Sequence, residues 1–228
     1  MDAPLLYEDA DLIAVAKPAG ALVIPGRTAD GPVALRQQLE AARGAPLWVV
    51  HRIDQDTSGV VVFAKTAAAH RALCAAFEAR TVRKTYVALA FGDLPGERAI
   101  ELPLTDARRG KARPAAPGEP GKPARTDVSA RRRWRLPAGV VTEVEAWPLT
   151  GRHHQIRVHL RALEAPIVGD PLYGKRTLRG AFAEAPPLRL ALHAARLALP
   201  DRPPIDAPLP DDLRALIAWL DATAEVLP

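Results

Sequence analysis

His51-Arg52-Ile53-Asp54-Gln55-Asp56-Thr57-Ser58-Gly59 runs directly into Val60-Val61-Val62-Phe63-Ala64. A stretch of nine residues that is polar and turn-forming apart from Ile53, followed by five apolar ones, predicts a loop at the mouth of a buried strand. A carboxylate held there, with an arginine two residues before it, is a candidate nucleophile or acid-base group. Asp54 and Asp56 would equally serve to shape a turn, because Asp, Ser and Thr are ordinary loop residues.

Working outward, residues 12–16 read as a strand stopped by Pro18 and Gly20. Residues 47–50 deliver the Asp54 loop and residues 60–65 leave it. Pro32 and Gly44 bracket a helix over 32–43, and residues 67–80 carry Ala69, Leu73, Ala76 and Phe77 at helical spacing. Strands follow at 85–91, 126–136 and 140–149, the last two joined by Pro137-Ala138-Gly139. A helix is expected at 152–163, a strand at 188–199 and a terminal helix at 211–222. Strands and helices mixed in irregular order argue for α+β, with a largely antiparallel mixed sheet flanked by helices and loops. One domain over 1–228, without internal repeats, is the expectation.

The chain is long enough to bury a core without disulfide or metal. Cys74 is the single cysteine, so no intrachain disulfide forms and a reducing compartment is compatible. The start, Met-Asp-Ala-Pro with Glu8, Asp9 and Asp11, is unlike a secretory signal, and no stretch approaches the roughly 20 apolar residues that span a bilayer. A soluble, cytoplasmic monomer without a membrane or protein partner is expected. The net charge is +5 at a sequence pI near 9.7. Arg108, Arg109, Lys111, Arg113, Lys122 and Arg125 stand against Glu119 alone, so the span 108–125 carries an excess equal to that of the whole chain. Its surroundings, 106–125, are rich in Pro and Gly and read as a flexible basic loop. Such a patch suits a polyanion, since neutralising phosphates releases counterions.

Several segments in fixed order resemble the RluA-type pseudouridine synthases. The Asp54 loop is similar to that family's H-R-L-D-x-x-T-S-G, and Leu12 to Gly20 to its strand ending in K-P-x-G. Lys84-Thr85-Tyr86-Val87-Ala88 resembles K-x-Y-x-A, and Leu149 to Leu160 resembles T-G-R-x-H-Q-I-R-V-H. Ile167-Val168-Gly169-Asp170, Leu172-Tyr173-Gly174 and Leu192-His193-Ala194 complete the set, which spans about residues 5 to 200. His153 departs from the family's usual Thr or Ser. The matching segments begin almost at residue 5, so an RNA-binding domain of the S4 type, often carried by the family, is not expected. Together with Ile24-Pro25-Gly26-Arg27, this short N-terminus looks most like the branch that modifies a tRNA anticodon stem-loop and a large-subunit rRNA hairpin.

The resemblance implies a bent sheet whose cleft holds Asp54 as the catalytic aspartate. It implies an RNA partner, with a uridine flipped from a tRNA or rRNA loop and isomerised to pseudouridine. Arg52 would fill the space the uridine leaves, Tyr86 would stack on the uracil and move the C5 proton, Ile156 would pack on the ring, and Arg157 would keep Asp54 ionised. The basic loop, with Arg131, Arg132 and Arg133, has no fixed family counterpart beyond the Gly-Lys-Pro-Ala at Gly121 to Ala124; its charge is what predicts contact with phosphates. No oxidation state changes and no water is consumed, so no cofactor is implied, in keeping with the lack of a dinucleotide or P-loop fingerprint. His154 and His159 lie five apart, not at the i,i+4 spacing of helical metal ligands, so no metal is expected. Trp134 reads as a core residue. The competing reading is an RNA-binding or RNA-folding protein with a vestigial motif. A glycosidase with Asp54 and Asp56 as its pair is disfavoured, since carboxylates two apart on one loop do not flank a scissile bond.

Overall fold

The computed structural model describes residues 3–26, 31–108, 110–174, 180 and 182–228. Arg27 and Arg109 therefore lie outside the described residues. In chain order the elements are β1 (Leu5–Glu8), β2 (Leu12–Lys17), α1 (Leu35–Arg43), β3 (Trp48–Val49), β4 (Ser58–Ala64), α2 (Ala67–Glu78), β5 (Arg83–Phe91), β6 (Glu97–Glu101), β7 (Arg125–Leu136), β8 (Gly139–Pro148), α3 (Gln155–Ala162), β9 (Leu192–Ala198), β10 (Ile205–Asp206), α4 (Asp211–Thr223) and β11 (Glu225–Leu227). They fall into two compact units, residues 1–84 with 193–208 and residues 85–192 with 209–228.

The first unit is built around β4, which is buried at every position. It pairs antiparallel with β2 from Leu12↔Ala64 to Lys17↔Gly59, and parallel with β9 at Ser58↔His193 and Gly59↔Ala194. Alternation then sorts the side chains onto two faces. Leu12, Ala14, Val60, Val62 and Ala64 pack with Ala69 and Leu73 of α2, while Ile13, Val15, Val61 and Phe63 pack with Leu35 of α1. A strand covered on both faces needs the unbroken apolar run that its sequence has, and each such side chain contributes roughly 1.5–3 kcal/mol by leaving water. Thr66 caps α2 by accepting the Ala69 N–H at 3.0 Å.

In the second unit β8 pairs antiparallel with β5 and β7, and β7 also with β6 and β11. Leu136 opposes Gly139 across a two-residue turn, at which Gly139 adopts φ 142°. Leu213, Leu216, Ile217 and Leu220 of α4 share a core with Val144 and the fully buried Trp134. The indole N–H of Trp134 donates to Asp221 at 2.8 Å, so the core reading of this residue holds.

The α+β class, with mostly antiparallel strands, is what the sequence predicts. Helix starts differ: α1 begins at Leu35 and α3 at Gln155, because Ala34 is extended, φ −71° and ψ 152°, and His154 takes the left-handed conformation, φ 55°. Span 106–125 is irregular but hydrogen-bonded. Leu104 and Lys122 exchange both backbone bonds, Thr105 N–H donates to the Arg113 carbonyl, and Arg108 and Lys111 exchange both backbone bonds around a tight turn.

Candidate active site

Asp54 sits on the loop between β3 and β4, and three devices fix that loop within the first unit. The Asp54 carbonyl accepts the Thr57 N–H at 3.1 Å, closing a four-residue turn. The next carbonyl, Gln55, accepts the Gly20 N–H at 2.9 Å and the Lys17 ammonium at 2.7 Å. Lys17 is 1% exposed and also donates to the carbonyls of Pro18 and Ala21, at 3.0 and 2.8 Å. Three carbonyl acceptors compensate much of the cost of burying this ammonium.

Behind the turn, the His193 Nε2 lies 3.1 Å from the Ala207 carbonyl, which can only accept, so Nε2 carries the proton and Nδ1 accepts from Ser58 Oγ at 2.9 Å. Both side chains are buried. Ahead of it, His51 Nε2 accepts the Val62 N–H at 3.0 Å, and its ring stacks on Phe77 at 4.8 Å. Part of the residue reaches the surface, but its ring packs inside. Burial, with the nearby Lys84 charge, pushes His51 down to about 3, so it is neutral at ordinary pH. Arg52 is exposed on the same loop.

In the second unit Tyr86 lies half-buried on β5, packed against the core and opposite Ala146. Ile156 and Arg157 open α3 and are 6% and 2% exposed. Arg157 makes a two-pronged pair with Asp170, Nε to Oδ2 and Nη2 to Oδ1, both 2.8 Å. Asp170 Oδ1 also accepts the N–H groups of Leu172 and Tyr173, at 2.8 and 3.0 Å. Burial works to raise the Asp170 pKa, but the bonds and charge of Arg157 overcome it and hold the carboxyl below its ordinary value. The start of α3 is tied by Gln155, whose amide oxygen accepts from Thr150 Oγ1 and the Arg152 N–H while its NH2 donates to the Arg125 carbonyl and Thr126 Oγ1. His159 is buried between Thr126 Oγ1 and the Leu102 carbonyl, and burial lowers its pKa.

The cations expected to meet phosphates are of two kinds. Arg113 forks onto Glu119, Lys122 pairs with Asp106, and Arg125 lies between Glu101 and Asp127. Arg131 pairs with Glu145, Arg132 with Glu143 and Asp221, and Arg133 with Asp93. Arg108 and Lys111 are exposed and form no such pair among the described residues. Lys17, Asp170, Tyr173 and His193 acquire no role from spacing alone, although each belongs to a quoted segment. Their signal is a polar residue amid apolar neighbours, and its partner is visible only in the fold.

The family model for RNA pseudouridylate synthase matches residues 11–162. The chain is 37% identical over 195 residues to a dual-specificity RNA pseudouridine synthase RluA of Vibrio parahaemolyticus, covering 85% of this chain and 76% of that protein. It is 38% identical over 237 residues to a ribosomal large subunit pseudouridine synthase D of Xanthomonas campestris, covering 96% and 70%. Among solved structures, human RNA pseudouridylate synthase domain containing 1 aligns with a TM-score of 0.78 at 28% identity, over 99% of this chain and 89% of that one.

Proposed function

This chain belongs to the RluA-type RNA pseudouridine synthases, isomerases of uridine in RNA, and from that premise we propose that Asp54 is its catalytic carboxylate, acting on a uridine flipped out of a tRNA or large-subunit rRNA loop. The observation that carries the assignment is the loop itself. Its backbone is held at Asp54 and Gln55 by Thr57 and Lys17, and the Ser58 side chain is held by His193, so the carboxylate needs little reorganisation on meeting its substrate.

Breaking the N1–C1′ bond, turning the uracil and rejoining it through C5 consumes no water and changes no oxidation state. Asp54 would attack the base or sugar, or balance the charge that develops. Arg52 would occupy the vacated stack. Tyr86 would stack on the uracil and take the C5 proton late, Ile156 would pack on the ring, and Arg157 would favour the ionised form of Asp54. Both compact units are read as one catalytic domain, working as a monomer in the cytoplasm. No helix among the described residues is long and apolar enough to cross a membrane.

The test is tritium release from RNA labelled at uracil C5, using unmodified tRNA and large-subunit rRNA transcripts. Release by the wild type and none by Asp54→Ala, with RNA affinity intact, is the expected result. Binding without release from any RNA would favour an RNA-binding protein with a vestigial motif.

A further inference from the structure

We propose that the 104–125 excursion is an RNA-backbone arm whose phosphate contact is the Arg108–Lys111 turn, while its other described cations hold the arm in shape. The proposal rests on RNA being the substrate and decides which charges meet it.

The turn is closed by Arg108 N–H to the Lys111 carbonyl at 2.9 Å and Lys111 N–H to the Arg108 carbonyl at 3.0 Å. Two residues that exchange both backbone bonds across an antiparallel pair place their side chains on one face, about 5.5 Å apart at Cα. Like charges directly opposed in this way are destabilising. Both side chains are exposed, and Glu119, the one acid of the span 108–125, is taken up by the Arg113 fork and the Ala116 N–H. Glu119 also feels the Arg108 charge through space, but neither Arg108 nor Lys111 closes an ion pair among the described residues, so the two opposed cations form a site that an anion completes, and a phosphodiester oxygen supplies the charge.

The paired cations cannot do the same work. An RNA phosphate reaching Arg113 meets the Glu119 carboxylate as well, and one reaching Arg125 meets Glu101 and Asp127. Their net charge toward a polyanion is zero or negative, and counterion release follows the phosphates actually neutralised.

The arm is also seated. Leu104, Ala112 and Ala124 bury against Val158 of α3 and Tyr173. The Tyr173 hydroxyl accepts the Ala112 N–H at 2.9 Å, leaving its own proton for His154 Nδ1 at 3.0 Å. His153 Nε2 lies 3.4 Å from the Gly110 carbonyl inside the turn. The charged turn is thereby fixed at the start of the helix that carries Ile156 and Arg157.

The experiment measures binding of an unmodified tRNA transcript against salt concentration. Wild type is compared with Arg108→Gln/Lys111→Gln and with the charge-neutral pair Arg113→Gln/Glu119→Gln, and tritium release is read on the same proteins. Each lost phosphate contact lowers the slope of log K against log salt by about 0.7–0.9. The first variant is expected to lose about 1.5 units of slope and the second none. Equal slopes in all three, or a loss confined to the second, would overturn the arm, even with tritium release intact. Unequal slopes without release from any RNA would leave the arm standing and sink the synthase reading instead.

Discussion

The Lys17 ammonium lies 2.7 Å from the carbonyl oxygen of Gln55, the residue after Asp54. A side chain 38 positions away thus sets the backbone beside the candidate catalytic carboxylate, and the Lys-Pro segment is tied to the candidate site through that loop. Lys17→Met keeps the buried stem but strips three carbonyls of a donor. Turnover should fall about 100-fold, the scale of a small misplacement of a reacting group, while RNA affinity holds. Single-turnover rates and binding measured on one preparation check this. A matched loss in both would mean that Lys17 only supports folding.

Gly59 is irreplaceable for a different reason. It has φ +120°, and a Cβ there would stand 2.2 Å from the Ala194 carbonyl oxygen and 2.7 Å from its nitrogen, all rigid backbone. Gly59→Ala should cost about 2–5 kcal/mol, from strain plus overpacking. Gly20→Ala, at φ +84° with nothing within 4 Å, should cost only about 1–2 kcal/mol. Urea midpoints of the two variants decide it, and equal shifts would refute the steric account.

The same contrast shows what was legible in the sequence. The apolar run of β4 and the spacing in α2 announce themselves because burial on one or both faces dictates composition. β6 does not, since Ile100 is its one buried residue, and the three residues of β11 lend only an edge to β7. Asp54 and Arg157 stand in recognisable segments, but the Asp170 that holds Arg157 is set by a turn 13 positions on. Charge counting misled in a definite way. Glu119 is the only acid in the span 108–125, yet Asp106, Glu101 and Asp127, just outside it, pair with Lys122 and Arg125, and only the fold shows which acid meets which base.

His51 gives a pH dependence of known sign. Unfolded, it takes a proton near 6.5; folded, not until about 3, because burial and Lys84 disfavour the charge. Between these values the unfolded chain binds more protons, so stability is complete above pH 6.5 and falls with acid by about 1.4 kcal/mol per pH unit from this group. His51→Phe loses the acceptor for the Val62 N–H, costing about 1–3 kcal/mol at pH 7, and, having no ring nitrogen to titrate, loses the acid-linked slope as well. Stability curves of the two proteins should therefore converge as pH drops from 6.5 to 4. Parallel curves would show that His51 titrates alike in both states.

Arg157 and Asp170 are 3% and 0% exposed in their side chains, so neither charge can fall back on water. Asp170→Asn leaves the guanidinium without its counter-charge and should cost about 3 kcal/mol, the low end for a buried pair broken from one side, because the amide oxygen still accepts. Replacing both, as Arg157→Met/Asp170→Asn, removes the stranded charge and should restore most of that stability, since a buried pair is often matched by an apolar isostere. Turnover should not return with it, because the cation proposed to favour ionised Asp54 is gone. Chemical melts and C5 tritium release on the single and double variants separate the two roles. A double variant that is both stable and active would reduce Arg157 to a packing residue.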